Sequence, residues 1–425
     1  MFNRWQKIVA SAGRYSPSAK RVSPDSGPRD RGATPLRRGR ALSGGSHGRL
    51  ANERAVQRPL QPLGITQGVA HAALAGPEEL ARAAGLPDIV RLGSNESPFG
   101  PSPKALAALQ ATAADENRYG DPSVAELRAA LAAHHGVAEN NVAVGAGIDD
   151  LLGWIVRAYA GPGAPTIAGL GSFPTFEMHA VGYGTRLERV PYRPDGRLDL
   201  EAMLAAAERV AGALVFVPNP DNPSGSVYAW NDVLAFLDAL PEGSLVIHDE
   251  AYANFLPPDR AFPRAAIDPR MLRLRTFSKE YGLAGARVGY ALGAPESIAA
   301  LDAVRLLYGV SRAAQAAASA ALEDQAFVAG VVSRISEGRE EYHALGRKLG
   351  LATLPSTTNF VLFDLGTRVR AKATLEALLR HGIHVRKPAF PPLDRYVRIS
   401  VGAEGERALL AQALAESVRS LPAST

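Results

Sequence analysis

The chain has 425 residues, 46% hydrophobic and 21% charged, with a formal net charge of +5 at pH 7, a balance typical of globular proteins and a length that suggests two or three domains. It contains no cysteine, which excludes disulfides, iron–sulfur clusters and thiolate zinc sites and fits a reducing cytoplasm; no apolar run approaches the roughly 20 residues that span a bilayer. The charge is uneven: residues 1–60 carry 13 lysines and arginines against Asp25, Asp30 and Glu53, so the rest is mildly acidic and the basic total is no argument for nucleic-acid binding.

In chain order, residues 1–62 form a basic tail rich in Arg, Ser, Gly and Pro, typified by "SPDSGPRDRGATPLRRGRALSGGSHGR". Such a segment buries too little apolar surface to offset its ordering entropy, which predicts disorder. A misplaced upstream start and an Arg-rich organelle leader are the alternatives. Residues 63–98 read as an N-terminal arm. Residues 99–303 alternate helical spacing ("KALAALQATAADE", "SVAELRAALAAHHG", "WNDVLAFLDAL") with short strand-like runs ("GALVFVPNP", "GSLVIHDEAY", "MLRLRTFSK"). That alternation predicts an α/β fold, a three-layer α/β/α large domain with a mostly parallel sheet. Residues 304–421, with "LATLPSTTNFVLFDL" and "GIHVRKPAFPPLDRYVRISVG", read as a smaller α+β C-terminal domain. No internal repeat is present.

Ligands of such sheets lie beyond the carboxyl ends of the strands, where Asn219, Asp249 and Lys279 fall. "FVPNPDNPSG" reads as a rigid proline turn or as a loop that holds the Asn222 amide against a ligand oxygen. Asp249 ends an apolar run, so it is either half of a structural ion pair or a carboxylate fixed for a protonated heterocyclic nitrogen, with Tyr252 three residues on. His248, Asp249 and Glu250 are a poor metal chelator, because adjacent strand residues face opposite ways. Lys279 can act as a nucleophile only when unprotonated, and Arg275 and Arg287 are nearby positive charges suited to depressing its pKa. Thr276, Ser278 and Arg287 suit a phosphate. "VGAGIDDLL" looks like a strand, a glycine turn and a helix start, offering backbone N–H groups to an anion.

Taken together, "PNPDNPSG", "HDEAY" and "TFSKEYGLAGARVGY" resemble the signature of fold-type I pyridoxal-phosphate aminotransferases, and within them the histidinol-phosphate aminotransferase branch. The similarity runs from residue 89 onward and includes "RLGSNESPFGPSPKALAAL", "NRYGDPSVAELRAALAAHHGV" and "VGAGIDDLL". The resemblance implies pyridoxal 5'-phosphate as cofactor, an amino donor and a 2-oxo acid acceptor as small-molecule partners, and ping-pong transamination. It makes Lys279 the amine that bonds the cofactor aldehyde and later moves the substrate proton. Asp249 becomes the partner of the ring nitrogen, Asn222 and Tyr252 partners of the 3′ oxygen, and Phe173 the stacking aromatic, where ordinary core packing is the alternative. Ala146, Gly147, Ile148, Thr276, Ser278 and Arg287 would hold the phosphate, with Tyr119 reaching it from the other subunit of a homodimer. Arg398 would grip the substrate α-carboxylate, and Arg386 a distal phosphate. Asn359 matches a structural position, and Glu96 lies in the segment lining the entrance. One family element is missing: the stretch "GVAHAALAGPEELARAAGLPD" holds no tyrosine where the family carries Tyr-Pro-Gly. The open alternatives are transamination of another amino acid, aromatic or similar, a threonine-phosphate decarboxylase-like reaction, and a ligand-sensing or DNA-binding protein. The last is disfavoured because the tail lacks a helix-turn-helix pattern. Neither a nucleic acid, a membrane nor a metal is expected as a partner.

Overall fold

A computed structural model of the protein describes residues 76–86 and 88–420. The expected tail, residues 1–62, lies outside the described residues. The first elements are α1 (Pro77–Ala84), β1 (Val90–Arg91), α2 (Pro103–Thr112) and α3 (Ala125–His135), then β2 (Val142–Gly145), α4 (Ile148–Tyr159) and β3 (Pro165–Gly169). Next come α5 (Pro174–Gly182), β4 (Arg186–Val190), α6 (Leu200–Val210), β5 (Leu214–Pro218), α7 (Trp230–Ala239), β6 (Leu245–Asp249), β7 (Met271–Thr276) and β8 (Gly289–Leu292). The last are α8 (Pro295–Val304), α9 (Arg312–Leu322), α10 (Gln325–Leu349), β9 (Phe360–Asp364), α11 (Arg368–Arg380), β10 (Ile383–His384), β11 (Tyr396–Ser400) and α12 (Glu404–Ser420).

Seven strands form one sheet in the order β2-β8-β7-β6-β5-β3-β4. Strands β4, β3, β5, β6 and β7 run parallel, while β8 is antiparallel to both β7 and β2. The sheet is therefore mostly parallel, as the βαβ alternation requires. Its middle strands are covered on both faces, and the alternation of their side chains divides the core. Leu214 and Phe216 of β5 pack with α4 residues Leu151 and Ile155, whereas Val215 and Val217 pack with α6 residues Met203 and Ala206.

The second of these clusters continues into the C-terminal part through Phe360, Val361, Val397 and Ile399, so this face of the sheet shares one apolar core with β9 and β11. Residues before the large sheet join this C-terminal part, since β1 pairs in parallel with β10 at Val90 and Arg91. Helix α9 instead buries Ala314, Ala317 and Ala318 beside Leu127 and Leu131 of α3, in the core of the sheet's far edge. Several of the helices start at polar caps. Ser102 accepts from the N–H of Ala105 at 3.2 Å, Ser311 from that of Ala314 at 3.1 Å, and Asp199 from that of Ala202 at 3.0 Å.

Among the described residues no helix is long and apolar enough to cross a membrane.

Candidate active site

The carboxyl ends of β5, β6 and β7 open into a cavity of about 640 Å³, within the range of sites that take a cofactor with a small substrate. Asn222, Asp249, Tyr252, Thr276, Ser278, Lys279, Arg287, Phe173, Ile148, Arg386 and Arg398 all line it. These side chains come from segments separated by up to 250 residues, brought together because three parallel strands end at one level.

Strand parity decides which charged groups reach the cavity. Asp249 shares the parity of Ile247, and Thr276 that of Leu272 and Leu274, so both continue the same face into the cavity. His248 and Glu250 point the other way, to Arg273 and Arg275. Glu250 accepts from Arg273 Nε at 3.2 Å and Nη2 at 3.1 Å, with Arg275 Nη1 3.7 Å away. Burial alone would raise the Glu250 carboxyl, but the two guanidinium groups outweigh it and hold the group at about 2. This corrects the expectation that Arg275 is a neighbouring charge for Lys279. It belongs to a buried network behind the sheet and also donates to Asn254.

Asp249 is only 5% exposed and accepts one backbone bond, from Ala251 N–H at 3.0 Å. Burial pushes its carboxyl up to about 7; the Ala251 bond opposes that shift, Asp149 adds to it, and Lys279 works against it. It is a buried charge with too few partners, facing a cavity. The Lys279 ammonium nitrogen lies 5.6 Å from the centre of the Tyr252 ring.

The anion end is built on the turn after β7. Thr276 Oγ1 donates to Ser278 Oγ at 2.9 Å and accepts from Ser278 N–H at 3.0 Å, holding both hydroxyls together. The chain then doubles back closely: at Gly282 (φ +70°) a Cβ would come within 2.0 Å of the Gly100 carbonyl oxygen, so only glycine fits. That turn delivers Arg287, whose Nη2 donates to Asp149 at 3.3 Å. Of the three residues expected to offer N–H groups at the start of α4, only Ile148 borders the cavity. Ala146 N–H donates instead to Asp150 Oδ2 at 3.0 Å and Gly147 N–H to the Gly145 carbonyl at 2.8 Å. Gly147, at φ +88°, lies against the Arg287 guanidinium, 2.7 Å from where a Cβ would stand.

At the other end, Arg386 and Arg398 face each other across an isolated antiparallel bridge, with Arg398 N–H to Arg386 O at 2.7 Å and Arg386 N–H to Arg398 O at 3.1 Å. Paired residues of a bridge share a face, which places two guanidinium groups side by side. Arg398 donates to Asn222 Oδ1 and to the Gly93 carbonyl, the latter at 2.7 Å, while its Nε has no hydrogen-bond partner among the described residues. Burial lowers the Arg398 pKa to about 10, with the Tyr252 side raising it and Arg386 lowering it.

Tyr119 does not reach this cavity from its own chain. It is 76% exposed and stacks on Tyr308 at 4.4 Å between ring centroids. Asn359 donates to the Asn95 carbonyl at 2.9 Å, below the cavity. Residues that sequence reasoning passed over include Asn95, Glu177, Met178, Lys387 and Phe390, all on the cavity wall. The "SNES" run held a signal for Asn95, since asparagine beside serine favours a tight, side-chain-bonded turn.

A family model described as "Aminotransferase class I and II" matches residues 87–416. A histidinol-phosphate aminotransferase of Thiobacillus denitrificans is 39% identical over 349 residues, covering 81% of this chain and 90% of its own. One from Lysinibacillus sphaericus is 38% identical, covering 78% and 91%. The crystal structure of histidinol-phosphate aminotransferase from Sinorhizobium meliloti, in complex with pyridoxal-5'-phosphate, is 45% identical, with a TM-score of 0.80 over 84% of this chain and 98% of that one. The strand-end constellation and these likenesses agree, and the chain belongs to the aminotransferase class I and II family.

Proposed function

We propose that this chain is a pyridoxal-phosphate-dependent aminotransferase that moves the amino group of histidinol phosphate to 2-oxoglutarate. The observation that carries the reading is the cavity itself, which gathers a lysine, a buried carboxylate, a hydroxyl and arginine anion site, and a pair of arginines around one space.

The residues fit the cofactor chemically. Asp249 is a buried carboxylate whose pKa is raised chiefly by burial, and a protonated ring nitrogen would offset that cost. Thr276, Ser278 and Arg287 fit its phosphate, and Phe173 supplies an aromatic wall. Bound there, pyridoxal phosphate supplies an aldehyde for amines and an electron-withdrawing ring that lets the α-proton of an amino compound leave. Lys279 Nζ is the amine that would bond the aldehyde, and it would take the Cα proton of the substrate and return it. Asp249 would keep the ring nitrogen protonated, and Asn222 and Tyr252 would bond the 3′ oxygen. Arg398 grips the carboxylate of the acid substrate in a fork, and Arg386 beside it supplies a second cation for the phosphate of the donor.

The active form is a cytoplasmic homodimer in this reading. The exposed patch of Tyr119, Leu306, Leu307 and Tyr308 supports a second copy as its cover, with Tyr119 entering the neighbouring site. The test is a panel of amino donors, histidinol phosphate included, compared by kcat/KM, together with Lys279→Ala. Histidinol phosphate should lead the panel, and Lys279→Ala should lose the visible absorption of the bound cofactor and nearly all turnover. Retention of both by the variant, or carbon dioxide release without a keto product, overturns the reading.

A further inference from the structure

Asn95 sits in the left-handed region at φ 54° and is 2% exposed. A buried non-glycine residue in that conformation is held there by its bonds. The bonds run in one direction. Asn95 N–H donates to Ser400 Oγ at 3.0 Å, so the single hydroxyl hydrogen of Ser400 is free to donate to Asn95 Oδ1, 2.8 Å away. That fixes the amide with Nδ2 on its other side, where it donates to Tyr252 Oη at 2.9 Å. The Tyr252 oxygen is therefore an acceptor on its buried side, and its own hydrogen is directed towards the cavity.

The same segment is fastened to β11 along its length. Ser400 N–H donates to the Leu92 carbonyl at 2.9 Å and Arg398 Nη2 to the Gly93 carbonyl at 2.7 Å. Arg398 and Ser400 are two apart on one strand and share a face. The Asn95 backbone is clamped a second time, by Asn359 Nδ2 at 2.9 Å.

We propose that Asn95 is a positioning residue that fixes the Tyr252 hydroxyl as a hydrogen-bond donor into the cavity and ties that polarity to the strand carrying Arg398. The inference rests on the proposed binding of pyridoxal phosphate, whose 3′ oxygen receives the tyrosine hydrogen. A donor there stabilises an anionic 3′ oxygen and so favours loss of the proton shared between Lys279 and the cofactor. The other charged groups facing Tyr252 are Lys279 over its ring, Asp249 three residues before it, and Arg398 from β11; Phe360 of β9 closes its edge without charge.

The experiment is a spectrophotometric pH titration of the visible band of the pyridoxal-phosphate-loaded protein, in the parent, Asn95→Asp, Asn95→Gly and Ser400→Ala. An aspartate tolerates the same backbone angles but accepts the tyrosine hydrogen, turning it away from the cavity. Its midpoint should rise by about one pH unit or more, a tenfold change in proton affinity. Asn95→Gly, which fits φ 54° without a side chain, and Ser400→Ala should rise by less. Thermal unfolding of the same samples separates loss of stability, which would leave the midpoint in place. An unmoved midpoint in folded Asn95→Asp overturns the proposal; if that variant does not fold, an unmoved midpoint in Asn95→Gly does so. A parent protein that shows no visible band with pyridoxal phosphate instead removes the cofactor reading, and this inference with it.

Discussion

Replacing Asp249 by asparagine separates the cost of its buried charge from its use. The carboxyl is 5% exposed and is raised from 3.8 to about 7, chiefly by burial. Because the folded pKa lies above the unfolded one, the folded chain keeps a proton between about pH 4 and pH 7 that the unfolded chain has lost, and stability falls as pH rises through that window. A shift of roughly three units at about 1.4 kcal/mol each gives an upper value of about 4 kcal/mol. Relaxation around the charge reduces this, so about 2–4 kcal/mol is expected. Cofactor-free Asp249→Asn should thus exceed the parent by that amount at about pH 8 and by little at about pH 4. Glu280, also raised to about 7 by burial, is present in both proteins and cancels. Urea unfolding of the two cofactor-free proteins at both pH values measures the difference of differences. Equal pH dependence in the two would refute the argument. Added pyridoxal phosphate should reverse the order, stabilising the parent, whose carboxylate gains a cation, much more than the variant.

Arg386→Ala should raise KM for a phosphorylated donor by about tenfold or more, and that for an unphosphorylated donor much less, because a charge-assisted pair is lost only with the phosphate; equal losses would show that Arg386 reads no phosphate. Arg273→Met should destabilise the fold by about 3–5 kcal/mol, since it strands the buried Glu250 carboxylate and three backbone carbonyls that Arg273 Nη1 now serves, those of Pro263, Arg264 and Ala266. Adding Glu250→Gln should recover part of that loss in urea unfolding; no recovery would mean that the stranded charge is not the cause.

Much of the site could be read along the chain because each functional side chain stands at a punctuated strand end. Asn222 sits in a run with Pro218, Pro220 and Pro223, Asp249 follows "LVIH", and Lys279 follows "RTFS", and all three line one cavity. Composition and spacing could not place Arg275, since its neighbourhood in sequence is that of the lysine while strand parity sends it to Glu250. Likewise "VGAGIDDLL" announced a strand, turn and helix, but not that Asp150 would fold back onto the Ala146 N–H. Asn95 gave a faint signal because its partners, Tyr252 and Ser400, lie 157 and 305 residues away.

The sequence by itself determined the α/β class, the order of strands along the chain and the identity of the reactive groups, because those follow from local periodicity and from which residues end each strand. Only the tertiary structure decided which faces those residues share. Sheet order, with β5, β6 and β7 side by side, set the width of the cavity. The pairing of β1 with β10 and the bridge between Arg386 and Arg398 closed its other end. Contacts of that kind depend on segments hundreds of residues apart meeting in one core, and no window along the chain contains both partners.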